Sequence, residues 1–424
     1  ELQPLKDLLV ERCDGNPFFL EESVRTLVEE EVLQSTPDAY RLTRSARSVQ
    51  VPASVQAVLT ARIDRLNLTD KELLQSAAVI GREVPSVLLQ AITGHTEDEV
   101  RRGLARLCDG EFIYRLVLFP EPLHVFKHAL THEVAYGSSL RERRRILHAR
   151  IVEVVERRYG DRLSDQVERL AYHAQRGEVW DKALTYLRTA GTQAYTRGAL
   201  EEAIERYQAA LSILTGLPPS HDAMRLSIDL RLDLHAPMVT VGRAQEMVEL
   251  YEHGQRLARE LDDDVRLGRI FERMSLLSWL GGDYQAGADY ARQALAVAAA
   301  SDDAITRLNA HYFLGLHRHA LGDYHAAIPC FEYVVEGRDA PLAPRVIAVT
   351  TPVDVPAWSW LAFWSMMAGD VGRAEVATRR AVIAAEASEF PQARVIARTI
   401  EGVVLGYAGR ASMCVGSLGA TIEL

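Results

Sequence analysis

The first place to look for chemistry is among the histidines and carboxylates. His124, His128 and His132 recur at a spacing of four, and Glu133 follows. Three imidazoles at that spacing on one helix could ligate a transition metal. Here, however, His124 falls within a strand-like run and His128 at its end. His132-Glu133 lacks the second histidine three residues on that a zinc-protease helix requires. The histidines of the repeat segment, His311, His317, His319 and His325, point to different sides of their helices. Ordinary structural histidines are the preferred reading, and no metal site is expected. No paired carboxylates, nucleophile elbow or glycine-rich phosphate loop occurs, and G-x-x-x-x-G-K-[ST] is absent throughout. Without that loop's backbone donors and lysine, nothing cradles a triphosphate. The chain is therefore expected to be no enzyme, to hydrolyse no nucleotide and to carry no cofactor.

The only basic cluster is Arg141, Arg143, Arg144, Arg145 and Arg150, interleaved with Glu142 and followed by Glu153 and Glu156. With a net charge of -10 on the chain, a solvated, ion-paired helix face is preferred over a phosphate-binding surface. Nucleic acid is not the expected partner. The 424 residues suggest two to four domains. Cys13, Cys108, Cys330 and Cys414 are scattered, which fits a reducing, cytoplasmic setting rather than a disulfide framework. No run of 18 apolar residues exists, so no membrane span is expected. The chain opens on Glu1 without a signal peptide and reads as part of a longer protein.

The elements that must position any site are read from a recurring turn. Gly282-Asp283-Tyr284, Gly322-Asp323-Tyr324, Gly369-Asp370-Val371 and Gly409-Arg410-Ala411 follow one another at steps of 40, 47 and 40. Five residues after each glycine stands a small residue: Gly287, Ala327, Ala374 and Cys414. An earlier copy runs from Gly198 through Ala203 and Tyr207 to Ala210. In the segment His311 to Val334, Gly315 and Ala327 allow two helices to touch, while Leu314, Tyr324 and Phe331 fill the space between. Such a hairpin cannot bury its apolar faces alone and needs stacked neighbours. The pattern resembles tetratricopeptide (TPR) repeats, whose period is about 34, with longer turns. The resemblance covers about Asp161 to the end and implies a helical solenoid. Its last helix has no polar cap, so the array is expected to end in an interface or to continue.

Upstream, Gly15-Asn16-Pro17 precedes Phe18-Phe19-Leu20 and a helix from Glu21 to Leu33. A helix from Pro52 to Leu66 is followed by two capping-box signals, Thr69/Glu72 and Thr96/Glu99. Strand-like runs Phe112–Leu116 and Leu123–Lys127 flank a loop with two prolines, and a helix from Ser139 to Arg158 closes the unit. Further helices are expected at Ser164–Gln175, Trp180–Thr196, Leu200–Leu214, Met224–Val239 and Ala244–Leu261, with a linker at Gly216–Ser220. The runs Gly15 to Glu22, Phe126 to Tyr136 and Arg143 to His148 resemble STAND-type signalling ATPases of the AAA superfamily, in the region downstream of the ATPase core. The resemblance implies that Gly15 and Pro17 belong to a helical lid near the nucleotide in an intact parent, where ATP and magnesium would be expected. It also implies an adenylate-cyclase or DNA-binding output elsewhere in that parent.

The expected fold is all-α dominated: a lid remnant over residues 1–50, a small winged-helix-like α+β domain over 51–160, a first TPR-like block over 161–215 and a TPR-like solenoid over 221–424. Carrying the TPR register onto the first helix of each pair gives groove candidates. They are Arg269, Glu272, Trp279, Asn309, Tyr312, His319, Phe363, Met366, Thr399 and Tyr407. A groove mixing aromatic and polar groups suits a protein, a peptide or a small effector. Within Trp358–Met367, Trp358 is read as core, whereas Phe363 and Met366 are open between core and groove. The first functional reading is the sensor and interaction region of a STAND-type signalling ATPase. The second is a stand-alone scaffold binding peptides, with a DNA-binding regulator a distant alternative.

Overall fold

The computed structural model describes residues 2–35, 40–43, 54–116, 122–337, 346–347, 351–388 and 390–422. The chain divides into two compact units, Glu1–Tyr186 and Leu187–Leu424.

In the first unit, α1 (Gln3–Cys13) and α2 (Pro17–Glu29) pack around Leu5, Leu9, Leu27, Val32 and Leu33. Asn16 caps α2 by accepting a hydrogen bond from the Phe19 amide, and Pro17 sits at the first helical position, where its missing N–H costs nothing. The helix stops at Glu29, short of the expected Leu33. Glu31 takes a left-handed φ of 56°, and the Val32 amide closes back on the Leu27 carbonyl. Leu33 then opens β1 (Leu33–Ser35), antiparallel to β2 (Tyr40–Leu42).

Next comes α3 (Val55–Arg65), capped by Ser54, while Pro52 lies outside the described residues. Asn67, not Thr69, caps α4 (Leu68–Ile80), accepting from the Asp70 amide. Thr69 is already helical and Glu72 reaches Arg143 instead. After β3 (Glu83–Pro85) and α5 (Ser86–Thr93), α6 (Glu97–Asp109) starts at a complete Thr96/Glu99 capping box, as expected. The strands β4 (Ile113–Leu116) and β5 (Leu123–Phe126) complete an antiparallel sheet of order β3-β5-β4, with Val125 opposite both Glu83 and Tyr114. Strand β3 was not foreseen, since three residues between helices carry no alternation to read. The helices α7 (Ala129–Gly137), α8 (Arg141–Tyr159) and α9 (Val167–Arg176) follow, a 3-10 segment Gly160–Gln166 lying before α9. Helix α10 (Trp180–Thr196) matches its expected bounds and runs across the boundary between units.

The second unit is a TPR-like array of helical hairpins. It comprises α11 (Leu200–Gly216), α12 (His221–Asp233), α13 (His235–Thr240), α14 (Met247–Glu260), α15 (Asp264–Gly281), α16 (Tyr284–Ala300), α17 (Ala304–Ala320) and α18 (Tyr324–Glu336). A two-residue pair, β6 (Val346–Ile347) with β7 (Thr351–Pro352), precedes α19 (Asp354–Met367), α20 (Val371–Glu386), α21 (Pro391–Tyr407) and α22 (Ala411–Ile422). The Ala340–Pro344 run behind the step of 47 lies outside the described residues. The expected Met224–Val239 helix is broken at Leu234 into α12 and α13.

The hairpin turns share one mechanism. Gly198, Gly242, Gly282, Gly322, Gly369 and Gly409 all take φ between 76° and 84°. In each, the glycine N–H bonds the carbonyl three residues back and the next N–H bonds the carbonyl five back, closing the helix end. Asp283, Asp323 and Asp370 then cap the following helix, accepting from the Ala286, Ala326 and Arg373 amides. Packing inside a hairpin pairs a residue seven before the turn glycine with one nine after it. A Cβ on Gly191, Gly315 or Gly402 would fall 2.6, 2.8 or 2.6 Å from Tyr207, Phe331 or Leu418. Where the first position is large, as at His235, the pair is joined by a hydrogen bond, His235 Nδ1 to the Tyr251 hydroxyl at 2.7 Å.

Candidate functional site

The first helices of the last four hairpins, α15, α17, α19 and α21, carry a continuous line of rings. Trp279 lies 6.3 Å from His319, and His319 lies 5.2 Å from Trp360 and 4.1 Å from Trp364, ring centre to ring centre. Phe363 meets Trp364 edge-on at 4.5 Å and Tyr407 at 6.5 Å. Tyr324, at the start of α18, stacks on Trp364 at 4.6 Å and 7°. Four of the expected groove residues, Trp279, His319, Phe363 and Tyr407, are thus brought together. Trp360 and Trp364, one helical turn apart, are the members that the TPR register missed. Their i, i+4 spacing on α19 was the available signal.

Some polar atoms beneath this line are buried without partners among the described residues. Trp364 is buried, yet its Nε1 has no hydrogen-bond partner among the described residues, nor have Ser365 Oγ and His319 Nδ1. Burial holds the His319 imidazole below its ordinary pKa, so it is neutral near pH 7. Trp360 instead donates to the Tyr312 hydroxyl.

The other expected residues separate. Tyr312 and Met366 lie in the array core with Phe331, Leu361 and Trp364. They face neighbouring helices rather than a surface, because helix neighbours on both sides of a repeat cover positions that are open in an isolated hairpin. Trp358 packs against the same core, as expected. Thr399 is exposed and donates to its own helix, at the Val395 carbonyl. Glu272 and Asn309 form a separate polar corner. Glu272 is buried, hydrogen-bonded to Asn309, and lies 3.7 Å from Arg273; burial raises its pKa. Arg269 remains exposed, 4.0 Å from Asp303.

In the first unit, Gly15, Asn16 and Pro17 are exposed at the start of α2, and Asp14 and Gly15 both take positive φ. The next residue, Phe18, packs on the His128 ring at 4.0 Å. His128 Nε2 is buried without a hydrogen-bond partner among the described residues. The α2 helix is clamped from below. Buried Arg62 of α3 donates to Glu22, to both oxygens of Glu29 and to the Gly110 carbonyl, and its guanidinium lies 4.6 Å over the Phe112 ring. A second network joins Lys127 to Glu21 and Glu111, and Arg25 to Glu111. Arg25 and Lys127 hold the Glu111 carboxyl down to about 2.

The arginine run of α8 is spent on protein partners. Arg141 faces Glu178, Arg143 faces Glu72 and Arg145 faces Glu142. Arg144 donates to the Tyr136 carbonyl and Arg150 to the Ile92 carbonyl. Among the described residues, no group of three or more His, Cys, Asp or Glu could hold a metal ion. His124 bonds Ser86 from β5, while His128 and His132 lie at the cap and in the first turn of α7. No described helix is long and apolar enough to cross a membrane.

No family model matches the chain. It is 30% identical over 254 residues to an uncharacterized protein of Rhizobium meliloti (strain 1021), a match covering 59% of this chain and 24% of that protein. The match thus spans about a quarter of that relative's length. Similar solved structures include a Podosopora anserina kinesin light chain with nearly identical TPR-like repeats. It is 18% identical, covers 49% of this chain and 96% of that one, and has a TM-score of 0.40. A STAND protein with a tetratricopeptide repeat sensor from Pyrococcus horikoshii is 13% identical over 98% of this chain and 68% of its own, with a TM-score of 0.41. A Rap protein complexed with competence and sporulation factor is 15% identical over 69% and 81%, with a TM-score of 0.46.

Proposed function

We propose that this chain is the sensor and interaction region of a larger STAND-type signalling ATPase, taking a protein or peptide partner on its hairpin array. The observation that carries the recognition half is the line of rings from Trp279 to Tyr407, which crosses four hairpins. The outward rings of this line, Tyr324 and Tyr407 among them, supply contact area at small entropic cost, while Trp364 anchors them from the core.

The coupling half rests on the first unit. We read α3 to β5 as a winged-helix-like domain and α1–α2 as the lid. The exposed Gly15-Asn16-Pro17 element and the orphaned ring nitrogen of His128 suit the edge of an anionic ligand such as a nucleotide phosphate. A nucleotide held by a parent's core would supply that phosphate; this chain contributes Gly15, Pro17 and His128 to its rim. Because Arg62 and Lys127 tie α2 to the domain behind it, displacement of the lid element carries that domain along. The DNA-binding reading gains nothing, since the α8 arginines already have partners.

The test is selection of peptide binders from a random library against the whole chain, followed by Trp360→Ala and His319→Ala. Recovered binders should weaken about tenfold or more, the size of losing one anchoring contact. Binders indifferent to both substitutions would place recognition elsewhere.

A further inference from the structure

The ring line borders a second feature, at the turn end of the hairpins. Leu280, Leu321, Met367 and Tyr407 stand just before the four turn glycines and are between 45% and 63% exposed. Apolar side chains are thus presented at four successive turns, and the ring contacts show that these turns adjoin.

Charge is distributed unevenly along the same edge. Asp283, Asp323 and Asp370 are exposed at three of the turns. Each uses Oδ1 to cap its helix, and no bond to Oδ2 is present among the described residues. The basic side chains nearby are engaged elsewhere. Arg373 pairs with Glu332, Arg410 pairs with Glu375, and Arg318 folds over α18 to the Ala326 carbonyl. The edge therefore offers apolar side chains flanked by unmatched carboxylates.

We propose that this turn edge is the docking strip for a basic amphipathic helix of a partner protein. This rests on the reading of the array as a partner-binding surface. Packed helices lie about 8–10 Å apart, and seven residues of helix advance about 10.5 Å. A helix laid across the strip with apolar residues every seventh position meets one hairpin after another. Lysines or arginines flanking that stripe face the Asp carboxylates.

Two synthetic helical peptides of about 18 residues test this against the whole chain. Both carry leucine at every seventh position; one has lysine and arginine at flanking positions and the other glutamate. Binding is read by fluorescence anisotropy at about 50 and 300 mM salt. The basic peptide should bind, weakening by about tenfold or more at the higher salt. The variant D283N/D323N/D370N keeps the caps, because asparagine serves that position as well as aspartate. It should melt at the wild-type temperature, bind the basic peptide several-fold more weakly and show a shallower salt dependence. L321S/M367S should lose binding. Equal or tighter binding of the glutamate peptide, or unchanged binding by the asparagine variant, overturns the charge assignment alone. Full binding by L321S/M367S assigns the attraction to the chain's overall negative charge and overturns the strip. Failure of both peptides, with no binder from the library selection either, removes the partner-binding reading itself.

Discussion

His317 of α17 occupies the space that a side chain on Gly287 of α16 would need. A Cβ on Gly287 would fall 2.0 Å from His317 Cε1. The ring is fixed from a third helix: His317 Nε2 lies 3.1 Å from the Ser275 carbonyl and 3.0 Å from Ser275 Oγ, which itself donates to the Gly287 carbonyl. With the Ser275 hydroxyl committed to Gly287, the proton belongs on Nε2. One imidazole thereby locks α15, α16 and α17 together.

Gly287→Ala should therefore destabilise. In an open helix position that change gains about 1 kcal/mol. Here it overpacks a buried site, at a cost of about 1–3 kcal/mol, so the net sign is a loss. Removing the ring with His317→Ala makes room for the new methyl group, so the double variant should be less destabilised than the two single losses added together. Urea melts of the four species measure the coupling. Strict additivity would mean that the two positions do not share the space.

The same ring makes stability depend on pH. Burial pushes the His317 pKa down to about 4, against the opposing Ser275 carbonyl bond; in the unfolded chain it is about 6.5. Between those values the unfolded state binds more protons, so the contribution is complete above about pH 6.5 and is lost as pH falls toward 4. At pH 5 the loss is about 2 kcal/mol, at 1.36 kcal/mol per pH unit. His235, pushed down to about 3, acts with the same sign. Thermal melts from pH 7 to 5 should fall steadily, and His317→Gln should melt with a flatter profile. An unchanged slope in that variant would assign the acid sensitivity to other groups.

Arg62 is the corresponding lock in the first unit. Its removal strands the buried Glu22 carboxylate and leaves the Gly110 carbonyl only the longer bond from Arg25. Breaking a buried pair from one side costs about 3–5 kcal/mol. Arg62→Ala should lower the melting transition of the first unit and expose α2 amides to hydrogen exchange. Amides of α15 to α20 should keep wild-type protection. Uniform loss of protection across both units would refute this division of labour.

The turns were the most legible part of the sequence, because a positive φ at Gly282 or Gly322 leaves a compositional mark at fixed spacing. Helix α10 was read to the residue, since Ala183, Leu187 and Ala190 repeat at helical spacing between clear breaks. The end of α2 was not, because Val32 and Leu33 continue the helical apolar pattern and only Glu31's left-handed backbone stops it. Asn67 was passed over as a cap in favour of Thr69, both signals lying within one turn. For the candidate surface, position within a hairpin was readable, and Trp279, His319, Phe363 and Tyr407 lie along one line of rings. What each neighbouring hairpin covers was not readable, and so Tyr312 was taken for groove and Met366 was left open between core and groove, whereas both are core.

Nucleotide chemistry gives a sharp expectation. With no phosphate loop in the sequence, the chain should release no phosphate from ATP above a mock preparation. His128→Ala should leave that baseline unchanged, its structural effect being the loss of the ring packed on Phe18. Turnover that co-purifies with the chain and vanishes in His128→Ala would overturn the reading of that histidine as a rim residue.

For DNA the expectation follows from the engagement of the α8 arginines. A phosphate contact by Arg143 or Arg145 would first have to break its pair with Glu72 or Glu142. Each such pair is half exposed and gives up only about 0–1 kcal/mol, so pairing alone would not forbid binding. The decisive quantity is the field around it: the chain carries a net charge of -10, which repels a polyanion before any local exchange can occur. Random duplex should therefore show no binding at physiological salt and only weak binding well below it. Substituting Arg143 and Arg145 by alanine should alter stability by no more than about 1 kcal/mol. A steep fall of duplex affinity with salt, abolished by those two substitutions, would instead make α8 a phosphate-binding helix.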